Sequence, residues 1–262
     1  MLIYPNINPI AVSLGSIKIH WYGIMYLLGF TLAWLIANYR CKAYKLDWSK
    51  DQIGDLIYYA ALGLIIGGRV GYMLFYSTSE LIHNPLSLVK IWQGGMSFHG
   101  GLIGGMLGLY LFAKHYHKSF LQVTDFTAPL IPLGLATGRI GNFINGELWG
   151  RPTDIAWGMV FPHVDALPRH PSQLYEFGLE GVFLFLILFT YSRKPRPAGY
   201  TTALFLLFYG VFRFSIEFVR EPDTQIGYLF HDWLTMGQLL TIPLILLGIF
   251  IGWYQKHHAK LS

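Results

Sequence analysis

The chain has 262 residues, 53% of them hydrophobic and 17% aromatic, with only 13% charged and a mean hydropathy of +0.42. A soluble globular chain carries about 25% charged residues, so this balance excludes a water-soluble domain, and the aromatic content excludes disorder. The formal charge of +5 is no nucleic-acid signal, because Lys and Arg sit in short clusters between apolar runs, and a single cysteine, Cys41, excludes a disulfide framework or thiolate metal cluster.

In chain order, residues 1–19 hold Lys18, Pro5 and Pro9 before any long apolar run, unlike a cleaved signal with its basic start and short apolar core. A spanning helix needs about 20 mostly apolar residues. Segments 21–39, 91–113 and 233–255 meet this uncharged. Segments 53–76 (Asp55, Arg69), 120–141 (Asp125, Arg139), 174–192 (Glu176, Glu180) and 197–219 (Arg213, Glu217) meet it with embedded charges. The expected architecture is an all-α integral membrane protein, a bundle of seven transmembrane helices forming a single membrane domain over 1–262. A small extracytoplasmic cap is inserted at about 142–173, where Pro152, Pro162, Pro168 and Pro171 argue for a folded connection.

Basic residues set the orientation. Alternate loops carry Arg40, Lys42, Lys45 and Lys50; Lys114 and Lys118; Arg193, Lys194 and Arg196; Lys256 and Lys260, which is eleven of the nineteen. The opposite side carries six: Lys18, Lys90, Arg139, Arg151, Arg169 and Arg220. The positive-inside rule then places the C-terminus in the cytoplasm and the N-terminus outside. Gly63, Gly67 and Gly71 in the second span, and Gly100, Gly104 and Gly108 in the third, have the small-xxx-small spacing of closely packed helices. Gly94 and Gly95 mark a loosened start to the third span.

Ionisable groups within a membrane face a bundle interior or a water-filled cavity. With this orientation His99, Arg139, Arg213, Glu217, Glu176, Glu180 and Tyr22 all fall towards the outer ends of their spans, on different helices. Tyr209, Arg213, Glu217 and Arg220 recur on one helix face, and Arg139 and Asn142 share a side of another. Arg139 has no acidic partner at helical spacing apart from Glu147 beyond the turn, whereas Arg213 and Glu217 are spaced for a structural ion pair. An outer-leaflet site rich in Arg implies an anionic ligand, most simply a phospholipid headgroup, because guanidinium matches phosphate bidentately. His99 is a candidate general base. No ligand set for a metal emerges and no cofactor is implied.

The stretch GRIGNFINGELWG at 138–150 closely resembles the signature of bacterial phosphatidylglycerol–prolipoprotein diacylglyceryl transferases. HWYG at 20–23, GGMSFHGG at 94–101, RHPSQLYE at 169–176 and YGVFRFSIEFVREPD at 209–223 match further blocks of that family, in order, so the resemblance covers nearly the whole chain. The stretch between Gly150 and Arg169 is short against longer members. The resemblance implies a seven-span enzyme of the bacterial inner membrane. Such an enzyme moves the diacylglyceryl group of phosphatidylglycerol onto the lipobox cysteine thiol of a preprolipoprotein signal peptide and releases glycerol phosphate, among membrane lipids and without nucleic acid. It carries over Tyr22, His99, Arg139, Asn142, Glu147, Gly150, Tyr209, Arg213 and Glu217 as site residues. Of these His99, Arg139, Arg213, Glu217 and Tyr22 are expected to be catalytic; Arg139, Asn142, Glu147, Gly150, Tyr209 and Arg213 are expected to bind lipid. The thiol must lose its proton before it attacks a glycerol carbon, and the departing phosphate needs a preorganised cation. Arg139 or Arg213 suits the phosphate. His99 suits the proton, with a bound lipid phosphate or Glu217 as the other acceptors.

Two readings compete. A transporter or flippase would spread charge through the membrane depth with binding near the midplane, whereas here the ionisable residues concentrate at one level, Arg69 and Asp125 apart. An intramembrane serine protease would use Ser97, which stands two residues from His99 and so faces differently on a helix.

Overall fold

The computed structural model describes residues 2–15, 17–222, 227–230 and 234–258. In chain order the elements are β1 (Leu2–Ile3), β2 (Ile10–Leu14), β3 (Ile17–His20), α1 (Trp21–Tyr44), α2 (Lys50–Phe75), α3 (Thr78–His83), α4 (Phe98–His115), α5 (Phe120–Thr127), α6 (Ile131–Asn145), β4 (Met159–Val160), β5 (Pro168–Arg169), α7 (Ser172–Glu176), α8 (Leu184–Tyr191), α9 (Tyr200–Ile216), β6 (Tyr228–Phe230), β7 (Leu234–Thr235) and α10 (Met236–His258). Short 3-10 turns occupy Pro85–Val89 and Ile91–Gln93, and a π-helical stretch, Phe177–Phe183, joins α7 to α8. The protein is mostly helical. Among the described residues, four helices are long and apolar enough to cross a membrane: α1, α2, Ser172–Tyr191 and α10; α9 is a shorter apolar helix.

Two of the expected spans are interrupted. Segment 120–141 is divided between α5 and α6 by a turn at 128–130. Pro129 and Pro132 account for the break, since each lacks a backbone donor and its ring crowds the preceding turn. Segment 91–113 becomes α-helical only at Phe98, after Gly94 and Gly95 take φ of +80° and +78°. Asp223, Trp233 and Lys260, which entered the expected blocks, spans and loops, lie outside the described residues.

The chain divides into two compact units, residues 37–124 and residues 1–36 with 125–262. In the first, α2 starts with a capping box: the Ser49 hydroxyl accepts from the Gln52 N–H at 3.0 Å and the Gln52 side chain accepts from the Ser49 N–H at 3.1 Å. The helix then packs along α4 through glycine. A Cβ at Gly63 would overlap the Gly104 carbonyl, one at Gly67 the Gly100 carbonyl, and one at Gly108 the Tyr59 carbonyl. The backbones therefore touch, as the spacing foretold. Arg69, 4% exposed, donates to the carbonyls of Ser87 (2.5 Å), Leu88 (3.2 Å), Gly94 and Gly95 (3.3 Å). It staples the irregular stretch before α4 to α2.

In the second unit α9 packs along α10, with Gly210 against Ile245 and Gly248 against Ala203 and Leu207. Gly181 of the π-helical stretch packs on Ala136 of α6. Asp125 of α5 caps α9, accepting from the N–H groups of Gly199 and Thr202 at 2.7 Å each and from the Thr202 hydroxyl at 2.6 Å. A three-stranded sheet in the order β1-β4-β5 covers a small core of Tyr4, Met159 and Phe161, with Phe143, Trp149 and Val164 against it. The Tyr4 hydroxyl donates to the Ile144 carbonyl at 2.7 Å. Residues 2–4 thus pack with the connection between α6 and α7 in one small folded layer.

Candidate functional site

Several positions of the 138–150 block have a direct physical reason. Arg139 and Asn142 project from one side of α6, which persists to Asn145 and is ended by Gly146 in the left-handed region at φ +66°. The chain then folds back, so that the Glu147 carboxylate accepts from the side-chain amides of Asn142 (2.8 Å) and Asn145 (3.3 Å). Arg139 donates to the Asn142 side-chain oxygen at 3.4 Å. Ser172 and Gln173 donate to the Leu148 and Glu147 carbonyls at 2.8 and 2.6 Å, holding the fold-back against α7. Gly150 pairs with Arg220 beyond α9, and its N–H donates to the His170 carbonyl at 2.8 Å. A side chain there would strike His170 and the Val219 carbonyl. Only glycine can make this junction.

Arginines from α6 and α9 converge on carboxylates from α7 and the π-helical stretch. Arg139 Nε lies 3.1 Å from Glu176 Oε2, and its Nη2 lies 3.5 Å from Glu180 Oε2. Arg213 Nη1 lies 2.5 Å from Glu176 Oε1 and 4.0 Å from Glu180 Oε1, while its Nη2 lies 3.0 Å from Glu217 Oε2. Arg220 Nη1 is 3.7 Å from Glu217 Oε1. Both glutamates of the central pair are fully buried, whereas Arg139 and Arg213 keep 18% and 12% of their side-chain surface exposed. The guanidiniums are therefore held by buried carboxylates, while part of each arginine side chain stays exposed. Burying such charges is tolerable only because each faces opposite charge.

Glu217 stands at the end of α9, where the turn continues through Arg220, whose N–H donates to the Ile216 carbonyl at 3.1 Å. Arg151 donates to the carbonyls of Glu217 (3.1 Å) and Arg220 (2.9 Å). On α10, Gly237 leaves room for the Glu217 carboxylate, which a Cβ would overlap. Tyr22 at the start of α1 packs at Gly141 of α6, and its hydroxyl lies 3.3 Å from that of Tyr26. Tyr209 stacks on Phe205 one turn from Arg213. Beside this centre, Arg169 holds Asp165 (2.6 Å) and Glu221 (3.1 Å) and donates to the Gly150 carbonyl at 3.2 Å. The Arg169 guanidinium holds the Asp165 carboxyl below its ordinary range.

Of the expected site residues, Arg139, Asn142, Glu147, Gly150, Arg213 and Glu217 are joined through these contacts, with Tyr22 and Tyr209 on the same helices or packed against them. His99 belongs to the other unit; it lies in the first turn of α4, exposed, its ring against Phe98. Ser97 is the N-cap of that helix, its hydroxyl accepting from the Gly100 N–H at 3.2 Å. Sequence reasoning missed Glu176 and Glu180 as partners of Arg139. They were visible as membrane-embedded acids, and the unmatched arginine was the signal that they needed a cation. Arg69 and Asp125 have structural partners, which removes the evidence for a charged translocation path.

The family described as prolipoprotein diacylglyceryl transferase matches residues 9–254. A phosphatidylglycerol–prolipoprotein diacylglyceryl transferase of Legionella pneumophila (strain Lens) is 61% identical over 256 residues, covering 98% of this chain and all of the relative. The protein of the same name from Coxiella burnetii (strain RSA 331 / Henzerling II) is 58% identical over 260 residues, covering 99% of this chain and all of the relative.

Proposed function

The chain belongs to the prolipoprotein diacylglyceryl transferase family, and on that footing we propose that it transfers the diacylglyceryl group of phosphatidylglycerol to the lipobox cysteine thiol of a preprolipoprotein. Glycerol phosphate leaves, and the thioether product begins lipoprotein maturation. One C–S bond forms, one C–O bond breaks, and the thiol proton passes to a base. The observation that carries the reading is the convergence of Arg139 and Arg213 on Glu176 within the family's signature blocks.

The roles follow from that geometry. Arg139 and Arg213 receive the lipid phosphate and stabilise the charge that grows on it as the C–O bond breaks. Glu176 and Glu217 fix the two forks, and the Asn142–Glu147 pair with Tyr22 and Tyr209 holds headgroup hydroxyls. Gly150 supports the site through the backbone junction described above. His99 takes the thiol proton. Purified protein mixed with phosphatidylglycerol and a lipobox peptide should yield the thioether peptide and free glycerol phosphate. Absence of either product would end the transferase reading.

In this reading the protein crosses the bacterial inner membrane seven times, with its N-terminus and cap outside, its C-terminus in the cytoplasm and its site towards the outer leaflet. The eleven-to-six bias in basic residues supports this orientation. Reporter fusions after Lys45, Lys118, Arg196 and at the C-terminus should read cytoplasm, and fusions near Ser79, Asp165 and Gln225 should read exterior. A cytoplasmic signal at Asp165 would invert the site.

A further inference from the structure

The charged centre contains one carboxylate that the mechanism above does not use. Glu180 lies on the π-helical stretch, fully buried. Neither of its oxygens accepts a hydrogen bond among the described residues. Glu176, one turn earlier, accepts a hydrogen bond from Arg213 and lies within 3.1 Å of Arg139. Glu180 stands further back, 3.5 Å from one guanidinium and 4.0 Å from the other. Leaving a buried carboxylate without hydrogen bonds is costly, and orientation of the arginines is already achieved by Glu176 and Glu217. What Glu180 adds is negative charge, at nearly equal distance from both.

That charge matters because substrate and product differ in theirs. The lipid phosphodiester carries one negative charge, whereas a phosphate monoester carries roughly 1.5 to 2 near neutral pH. Two arginines balanced only by Glu176 and Glu217 would hold the departing monoester more tightly than the arriving lipid. The same field that stabilises the leaving group would then trap it. We propose that Glu180 is the counter-charge that lets the product phosphate leave Arg139 and Arg213, a positioning residue acting through the two guanidiniums. The inference rests on the phosphate role assigned to those arginines above.

The test compares wild type, Glu180→Gln and Glu180→Asp in the same lipid and peptide assay, with inhibition by added glycerol phosphate as the added readout. Removing one charge strengthens anion binding in proportion to the anion's charge. Glu180→Gln should therefore bind glycerol phosphate about tenfold tighter, lower KM for phosphatidylglycerol about threefold, and lower kcat because release slows. Glu180→Asp, which keeps the charge, should show inhibition within about threefold of wild type. Unchanged inhibition in folded Glu180→Gln, or a raised KM, would overturn the proposal. So would failure of both variants to fold, which would make Glu180 part of the scaffold. Wild-type turnover in the same assay reports separately on the transferase reading.

Discussion

The seam between α2 and α4 and the charged centre on α6, α7 and α9 both bring helices into close contact, by opposite means. In the seam the contact is made by removing side chains, so Gly63, Gly67, Gly100 and Gly104 let carbonyl oxygens sit where a Cβ would be. In the charged centre it is made by opposite charge, with Glu176 shared between two arginines from separate helices. The first arrangement depends on volume and is indifferent to charge. The second depends on charge and fork geometry, and its two arginine side chains keep part of their surface exposed. Membrane proteins use both devices, but only the second leaves chemistry behind.

Substitutions can break this contrast in order of expected effect. Arg139→Lys preserves charge and loses the planar fork that reaches Glu176 and Glu180 together. Transfer should fall about a thousandfold while the protein still melts normally in detergent. Near-wild-type turnover would remove Arg139 from the catalytic residues. His99→Gln asks whether the glycine-built unit also supplies chemistry. Activity at pH 7 should fall about a hundredfold and recover in part above about pH 8.5, where the thiol ionises without help. A defect of constant size across pH would confine the chemistry to the charged centre.

Gly104→Ala addresses the seam itself. One added methyl should cost about 2 kcal/mol of stability, read as a lower melting temperature, with turnover per folded molecule retained. An unchanged melting temperature would mean that the seam yields more easily than its geometry implies. The smallest effect concerns the cap. Arg169 depresses the Asp165 pKa in the folded protein, so this carboxylate favours folding above about pH 4 and loses that contribution as pH falls through its lowered folded value. Asp165→Asn should therefore flatten part of the acid-induced loss of melting temperature between about pH 7 and pH 3. Identical acid dependence in both proteins would assign the loss to other carboxylates.

What could be read in the sequence was what repeats locally or recurs as a block. The glycine registers of the seam follow from spacing alone, and the 138–150 block singled out Arg139 and Asn142 on α6, which contact one another in the structure. The partners of Arg139 could not be found by spacing, because they lie 37 and 41 positions away on another helix. Hydropathy read 120–141 as one span because Pro129 and Pro132 are apolar; only their missing donors reveal the break. The roles of Arg69 and Asp125 were hidden for a related reason. Each binds backbone groups, and backbone acceptors and donors leave no trace in residue identity. The N-terminal strand of the cap is two residues long, too short for any periodicity to mark.

The π-helical stretch at Phe177–Phe183 sets the angular phase between two surfaces of one continuous segment. On its N-terminal side lies Glu176, turned towards the arginines; on its C-terminal side Leu184 and Leu188 are fully buried in apolar packing. A π turn holds one residue more than an α turn. Deleting a single residue between 177 and 183 would restore regular winding and rotate the two surfaces by about 100° relative to one another. Either the carboxylates or the leucines would then face the wrong way. This segment can therefore accept changes of residue type far more readily than changes of length.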